Sequence, residues 1–487
     1  MRKFSMAVAA KPVNGVAIAM CFAFLLLLTG CGGKSEKTVV STGTSGLNLP
    51  PAHTQAWVTQ VQDQTLPPAS YESLLTQGWG LNTVVSIAGD KQGNAIVSGY
   101  TGDEFPGSAN LSWNRNAFVA KFNSQGTLMW TQQFSPSSDQ SADDVDAAYA
   151  AATDAAGNIY AGGITFGAFP GYVNPENREC LFLAKIDPNG KLLWVQQYFA
   201  INSRIHYGFG MTLTPSGKIA FGWIEAASET GTGDFTSMVV IDPEQAQIVG
   251  TRAYFGVNDL TALTSDSQGN LILTGTSQGS FPGTVSGSWG SFIAKVSLEN
   301  GTVIWKQFFP QQAAQNNEYI DIESVAVDGN GDVVAGGVSS TSLAFCQGLC
   351  YPALPGNMFL AKMDGASGAI LWTKQIGNDD GDGITGVAIG SGNDVFAVGY
   401  TSDVLAAGFT LPQENLFALK MDASGNIQWA QQFGTGNWGS GADPLYGMPA
   451  AVDSSGNLIL AAETQHAFAG YSNPGNVSQV FTAKFRP

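Results

Sequence analysis

Charge is what this chain has least of. Asp, Glu, Lys and Arg account for 12% of its 487 residues, about half the roughly 25% of an ordinary soluble domain. Basic residues are the scarcer sign, 21 against 38 acidic, and the net charge is −17. That sign repels a phosphate backbone, which sets nucleic-acid binding aside. Histidine occurs only as His53, His206 and His466, and no HExxH, CxxCH or GxxxxGK[ST] run is present. The local signatures of zinc hydrolysis, haem attachment and phosphate cradling are therefore missing. Residues 275–279 (GTSQG) fit GxSxG, but they follow a strand and enter a loop instead of a helix, so they lack nucleophile-elbow geometry. In contrast, 44% of the chain is apolar and 60 residues are glycine, which excludes disorder of the whole chain and disfavours long helices.

One long apolar run stands out, residues 13–28, preceded by Arg2, Lys3 and Lys11. A charged start and a short hydrophobic core have the form of a bacterial export signal. The run ends in Leu28, Thr29, Gly30 and Cys31, which resembles the lipobox of bacterial lipoproteins. In that family cleavage leaves the cysteine as a lipid-bearing N-terminus, so the resemblance implies a signal peptide over 1–30 and lipidation of Cys31. Gly32 stands where the family carries Asp for inner-membrane retention, which implies the outer membrane of a Gram-negative cell. Losing residues 1–30 removes three basic and no acidic residues, taking the net charge from −17 to −20. Residues 31–55 then form a flexible tether with a reach of roughly 25 Å. Of the remaining cysteines, Cys346 and Cys350 (CQGLC) are a candidate disulfide in an oxidising compartment, and Cys180 reads as a buried, inert thiol.

From residue 56 onward the sequence repeats at intervals of about sixty residues, the sign of a repeat architecture. A turn marks each copy: 90–94 (DKQGN), 154–158 (DAAGN), 215–218 (PSGK), 266–270 (DSQGN), 328–332 (DGNGD), 390–393 (GSGN) and 453–457 (DSSGN). Each copy carries four apolar segments between Gly-bearing turns, the pattern of hairpin strands. The third segment reads FVAKF, FLAKI, FIAKV, FLAKM, FALKM or FTAKF, and the fourth carries Trp130, Trp194, Trp305, Trp372 or Trp429. This combination resembles the bacterial SBBP-type β-propeller repeat family over residues 56–487. The third copy departs from it, with Val240 in place of the Lys and Gly250 in place of the Trp.

Seven copies of four strands predict an all-β, seven-bladed propeller of four-stranded blades. The seventh copy has no Trp strand of its own, and residues 57–62 (WVTQVQ) supply the match. The N-terminal strand is expected to pair into the last blade and close the ring, removing an open edge. Six of the fifteen lysines fall at one strand position, Lys121, Lys185, Lys295, Lys362, Lys420 and Lys484. Between covered blades they are expected to run along the seams and end on carbonyls or carboxylates, with the tryptophans as wedges between blades. The Asp-x-x-Gly turns are local turn chemistry.

Function is expected on the face that collects the long loops. Carboxylates gather just before the innermost strands, and Asp144, Asp259, Asp321 and Asp443 are expected at the channel mouth. Asn378, Asp380 and Asp382 (378–383, NDDGDG) match the opening of a calcium loop, although Ile389 occupies the position of its bidentate carboxylate. Calcium is thus the one cofactor suggested. With a complete repeat framework and no catalytic constellation, the chain reads as a monomeric, membrane-anchored binding or scaffolding module for a protein or polysaccharide. The alternative is a propeller lyase or hydrolase using Asp144, Asp321, Asp380, Asp382 and His206.

Overall fold

Short β-prone runs bounded by glycine turns can bury their apolar side chains only by pairing and stacking. The computed structural model describes residues 55–60, 82–102, 115–134, 146–174, 179–199, 205–225, 235–255, 257, 259–278, 289–310, 320–340, 357–377, 382–401, 405, 415–433, 448–464 and 479–486. The chain divides into units 1–34 and 35–487, and every described residue lies in the second. Its strands form seven four-stranded antiparallel sheets.

From inside outward, blade 1 is Asn82–Gly89, Ala95–Thr101, Asn116–Phe122 and Leu128–Phe134. Blade 2 is Ala147–Thr153, Ile159–Thr165, Cys180–Ile186 and Leu192–Phe199. Blade 3 is Ile205–Leu213, Ile219–Glu225, Phe235–Asp242 and Gln247–Phe255. Blade 4 is Asp259–Ser265, Leu271–Gln278, Trp289–Val296 and Val303–Pro310. Blade 5 is Ile320–Val327, Val333–Ser339, Asn357–Met363 and Ile370–Ile376. Blade 6 is Gly383–Ile389, Val395–Thr401, Asn415–Met421 and Ile427–Phe433. Blade 7 is Ala450–Val452, Leu458–Thr464, Gln479–Phe485 and the N-terminal Gln55–Gln60. Each innermost strand contacts that of the next blade, and the innermost strand of blade 7 contacts that of blade 1. The fold is a closed seven-bladed β-propeller.

Ring closure follows the repeat residue by residue. Trp57 lies opposite Lys484, as Trp130 does opposite Lys121, Trp305 opposite Lys295 and Trp372 opposite Lys362. Seven apolar clusters hold the ring, each centred between two adjacent blades. The second and third strands of blades 1 and 2 are buried along their whole length, because sheets covered on both faces leave no polar side. A bulge in each outer strand, just before the Trp, turns Met129, Leu193, Ile304 and Leu371 outward to about half exposure.

The repeated polar residues meet in the seams. Asp90 accepts the Gln92 and Asn94 amide N–H groups, both at 2.9 Å, and its other oxygen takes the Lys121 ammonium at 3.0 Å. Lys295 pairs with Asp266 at 2.8 Å and Lys362 with Asp328 at 2.7 Å, and Lys484 pairs with Asp453. The same ammonium reaches into the next blade, as Lys295 does to the Gly365 carbonyl at 2.7 Å. The Trp305 indole N–H donates to that carbonyl at 3.0 Å. Trp130 bonds Pro188 at 3.1 Å and Trp372 bonds Ala423 at 3.2 Å. The pairing moves when the turn changes. In blade 6 Gly390 replaces the Asp, and Lys420 takes Asp394 at 2.8 Å. In blade 2 the Tyr160 hydroxyl bonds Asp154 at 3.0 Å, and Lys185 reaches Glu244 of blade 3 at 2.9 Å. Blade 3 has Thr214 for the Asp and Val240 for the Lys, so both charges are lost together.

Two outcomes are expected. A chain beginning at residue 66 lacks the outer strand of blade 7 and bares the edge of Gln479–Phe485, so calorimetry should show melting about 10 °C lower. Lys362→Val leaves the buried Asp328 carboxylate without its ammonium and should cost about 3–5 kcal/mol in denaturant unfolding. Adding Asp328→Thr, which recreates the blade 3 pair, should recover more than half of that loss.

Candidate functional site

The innermost strands enclose a channel of about 510 Å³, lined by residues from all seven blades. A β-bulge shapes its wall, because an extra residue in one strand re-aims a side chain. In blades 1, 2, 4, 5 and 6 the pairing shifts by one residue around Val85, Tyr149, Thr261, Glu323 and Thr385, and all five line the channel. Glycine in the second strand permits the bulge. A Cβ on Gly99, Gly163, Gly275, Gly337 or Gly399 would lie 1.8–1.9 Å from an inner-strand carbonyl oxygen. The bulged hydroxyls also tie blades together: Thr261 donates to the Ile322 carbonyl at 2.5 Å and Thr385 to the Met448 carbonyl at 3.1 Å.

Among the described residues that line the channel, Glu323 is the one carboxylate. It interacts electrostatically with Asp321 of its own strand and Asp259 of blade 4. Burial, then repulsion from Asp321 and Asp259, pushes the Glu323 carboxyl up to about 7. Burial and Asp321 push Asp259 up to about 6, against the opposing bond from the Leu260 amide. Burial also raises Asp321. Among the described residues no lysine or arginine forms an ion pair with any of the three. Crowded acids of this kind favour a shared proton or an incoming cation.

Of the four acids expected at the mouth, the structure brings Asp259 and Asp321 together, while Asp144 and Asp443 lie outside the described residues. Both placed acids sit at one ladder level, Asp259 opposite Thr276 and Asp321 opposite Val338. The strand pairing sets His206 at the same level of blade 3, opposite Ile224. Glu323 was not among the expected residues. Its signal was a second acid, two residues after Asp321, within the apolar strand IDIESVAV, beside a partner strand carrying Gly337.

Asp382 is buried and accepts the Thr401 hydroxyl at 2.7 Å, tying the start of blade 6 to its second strand. Asn378 and Asp380, and likewise Cys31, Cys346 and Cys350, lie outside the described residues. Among the described residues no group of three or more His, Cys, Asp or Glu is placed to hold a metal ion. Cys180 is buried.

Stability should peak at about pH 4.5 and decline as pH rises towards about 7. Burial would raise Asp90, Asp266 and Asp453, but bonds from Asn and Lys overcome it and hold them below their ordinary 3.8. Their stabilisation is present above that value and is lost as pH falls through the folded pKa. Asp259 and Glu323 bind protons more tightly folded than unfolded. Their contribution is full below the ordinary carboxylate values and is lost as pH rises through about 6 and about 7. Glu323→Gln should therefore raise Tm by about 2 °C at pH 8 and leave it nearly unchanged at pH 5, read by differential scanning calorimetry.

No family model matches the chain, and no curated protein sequence does. Among solved structures, hydrazine synthase from Kuenenia stuttgartiensis is similar at 11% identity, covering 82% of this chain and 96% of that one, with a TM-score of 0.46. A PL25 ulvan lyase, a polysaccharide lyase, is similar at 10% identity over 87% of this chain and 95% of its own, TM-score 0.44. A protein of unknown function from Bacteroides caccae shares 10% identity over 65% of this chain and 90% of its own, TM-score 0.36.

Proposed function

We propose that this chain is an exported SBBP-type lipoprotein, anchored through Cys31 to the outer membrane. It acts as a binding module for a protein or polysaccharide that presents a cationic group. The observation that carries this reading is the cluster of Asp259, Asp321 and Glu323, three carboxyls crowded at one channel without a basic partner among the described residues. An arginine or ammonium group entering there meets acids whose repulsion it relieves. The charge of −20 left after removal of residues 1–30 draws such a partner in. Calcium at Asn378, Asp380 and Asp382 belongs to the same proposal, and a rise in Tm on adding calcium, reversed by EDTA, is the observation it needs.

A second reading is favoured by one feature, the Glu323 carboxyl holding a proton near neutrality beside Asp321. Such a pair suits general acid–base cleavage of a polysaccharide. In that reading Asp144, Asp380, Asp382 and His206 are the further residues to vary.

Isothermal titration with acetyl-Gly-Arg-Gly-amide separates the readings. The wild type should bind it at pH 8, more weakly at pH 5 where the acids are protonated. The Asp321→Asn/Glu323→Gln protein should bind at least fivefold more weakly. Equal affinity of that variant and the wild type would remove the cation-binding reading.

A further inference from the structure

Blade 3 breaks the repeat at three places that meet in one seam. Thr214 stands for the turn Asp, Val240 for the Lys and Gly250 for the Trp. Other seams show what this position holds in an intact repeat. In three of them an indole N–H donates to the second residue of the next blade's outer hairpin: Pro188, Gly365 or Ala423. The indole also lies over a hairpin glycine. A Cβ on Gly190 would meet Trp130 at 2.8 Å, and one on Gly368 would meet Trp305 at 2.7 Å.

Between blades 3 and 4 the structure has a groove of about 400 Å³ in that place. Val240, Val249 and Gly250 form its blade 3 wall. Ser267, Asn270 and Leu298 form the blade 4 wall, with Leu298 the counterpart of Pro188 and Gly365. Ile248 and Val249 are 41% and 54% exposed in the adjoining outer strand. The lining combines apolar Val240, Val249 and Leu298 with polar Ser267, Gln268 and Asn270, a mixture that suits an aromatic ring carrying one N–H. The groove opens among the hairpin turns at 215–216, 267–270 and 297–299.

We propose that this groove is a receptor for a tryptophan side chain presented by a partner protein. The incoming indole takes the place that Gly250 leaves open in the ring's own pattern. The chain's own repeat is the argument for this occupant: a ring, its N–H and a small residue beneath it recur at every equivalent position where the described bonds are seen. Aromatic anchors seated in preformed pockets are also what dominates interface energetics.

Saturation-transfer NMR on the full mature protein, with N-acetyl-tryptophanamide as probe, tests the assignment. Transfer to the indole protons is expected, with affinity at least fivefold above that for N-acetyl-leucinamide. Gly250→Trp should fill the groove from within, abolish the transfer and raise Tm. Ser267→Arg, an exposed change at the groove lip, should weaken binding without altering the fold, which covers the case in which the tryptophan variant does not fold. No transfer to the wild type, or equal transfer to wild type and Ser267→Arg, overturns the proposal. Self-association in sedimentation, reversed by the amide and absent in Gly250→Trp, would make a second copy the occupant and overturn the assignment to a partner protein.

Discussion

Every blade is a sheet with two apolar faces, and neither face can be buried by the blade that carries it. That requirement governs most of the residues. It places the seven hydrophobic clusters between blades instead of within them. It explains a composition with only 12% charged residues, because few positions in a covered sheet meet water. It also explains the form taken by the charges that do occur. Where the third strand carries a lysine it lies in a seam, and an unpaired ammonium there would be very costly. Lys121, Lys295, Lys362, Lys420 and Lys484 are neutralised by their own turns and Lys185 by Glu244 of the next blade. Burial and pairing oppose each other at Asp90, and the bonds from Asn94 and Lys121 outweigh the cost of burial.

The channel obeys a second constraint, set by backbone contact. An inner strand that bulges needs room behind it, and Gly99, Gly163, Gly275, Gly337 and Gly399 supply that room. In these five blades the bulge then directs one side chain into the channel. In blades 4 and 6 this is a threonine that bonds the neighbouring blade, which strengthens the ring. In blade 5 it is Glu323, which bonds nothing of the kind and instead faces two further acids. A position that elsewhere serves the scaffold is here given to a group that the scaffold does not need. That contrast is the physical reason for proposing function at this level of the channel.

The ring, its blade count and its closure were legible in the sequence, because the turn, the Lys strand and the Trp strand recur at positions that need no tertiary information to align. The role of the lysines followed from the same argument. Individual partners did not, since Lys420 turns to Asp394 where Gly390 replaces the turn Asp, and Lys185 turns to Glu244 where Tyr160 occupies Asp154. The site was half legible. Asp259 and Asp321 sit at the start of the inner strands and could be placed by topology alone. Glu323 could not, because simple alternation along IDIESVAV assigns faces wrongly once a bulge intervenes. Thr261 was hidden in the same way. The outward aliphatics before each Trp, such as Met129, also follow from a bulge and leave no periodic trace.

Blade 3 shows how far the pattern can be relaxed. Losing the Asp and the Lys together is mild, since a buried ion pair contributes little over an apolar pair of similar volume. Losing the Trp is not mild, yet the ring remains closed. The opposite seam of the same blade carries the compensation. At the position of the bulge glycine blade 3 has Trp223, and the ladder there skips between His206 and Phe209. Phe209 stacks on Tyr149 of blade 2 at 4.5 Å and 3°, and contacts with Phe221 and Trp223 continue the array at 6.5 and 6.0 Å. Each such aromatic pair adds about 0.5–1.5 kcal/mol beyond its buried area. Blade 3 is therefore anchored by aromatic packing on blade 2 and released from the repeat on its blade 4 side. A blade held firmly on one side can do without the outer-strand Trp on the other, where Ala220, Ile224 and Met238 still pack on Leu260 and Leu263 and keep the ring closed.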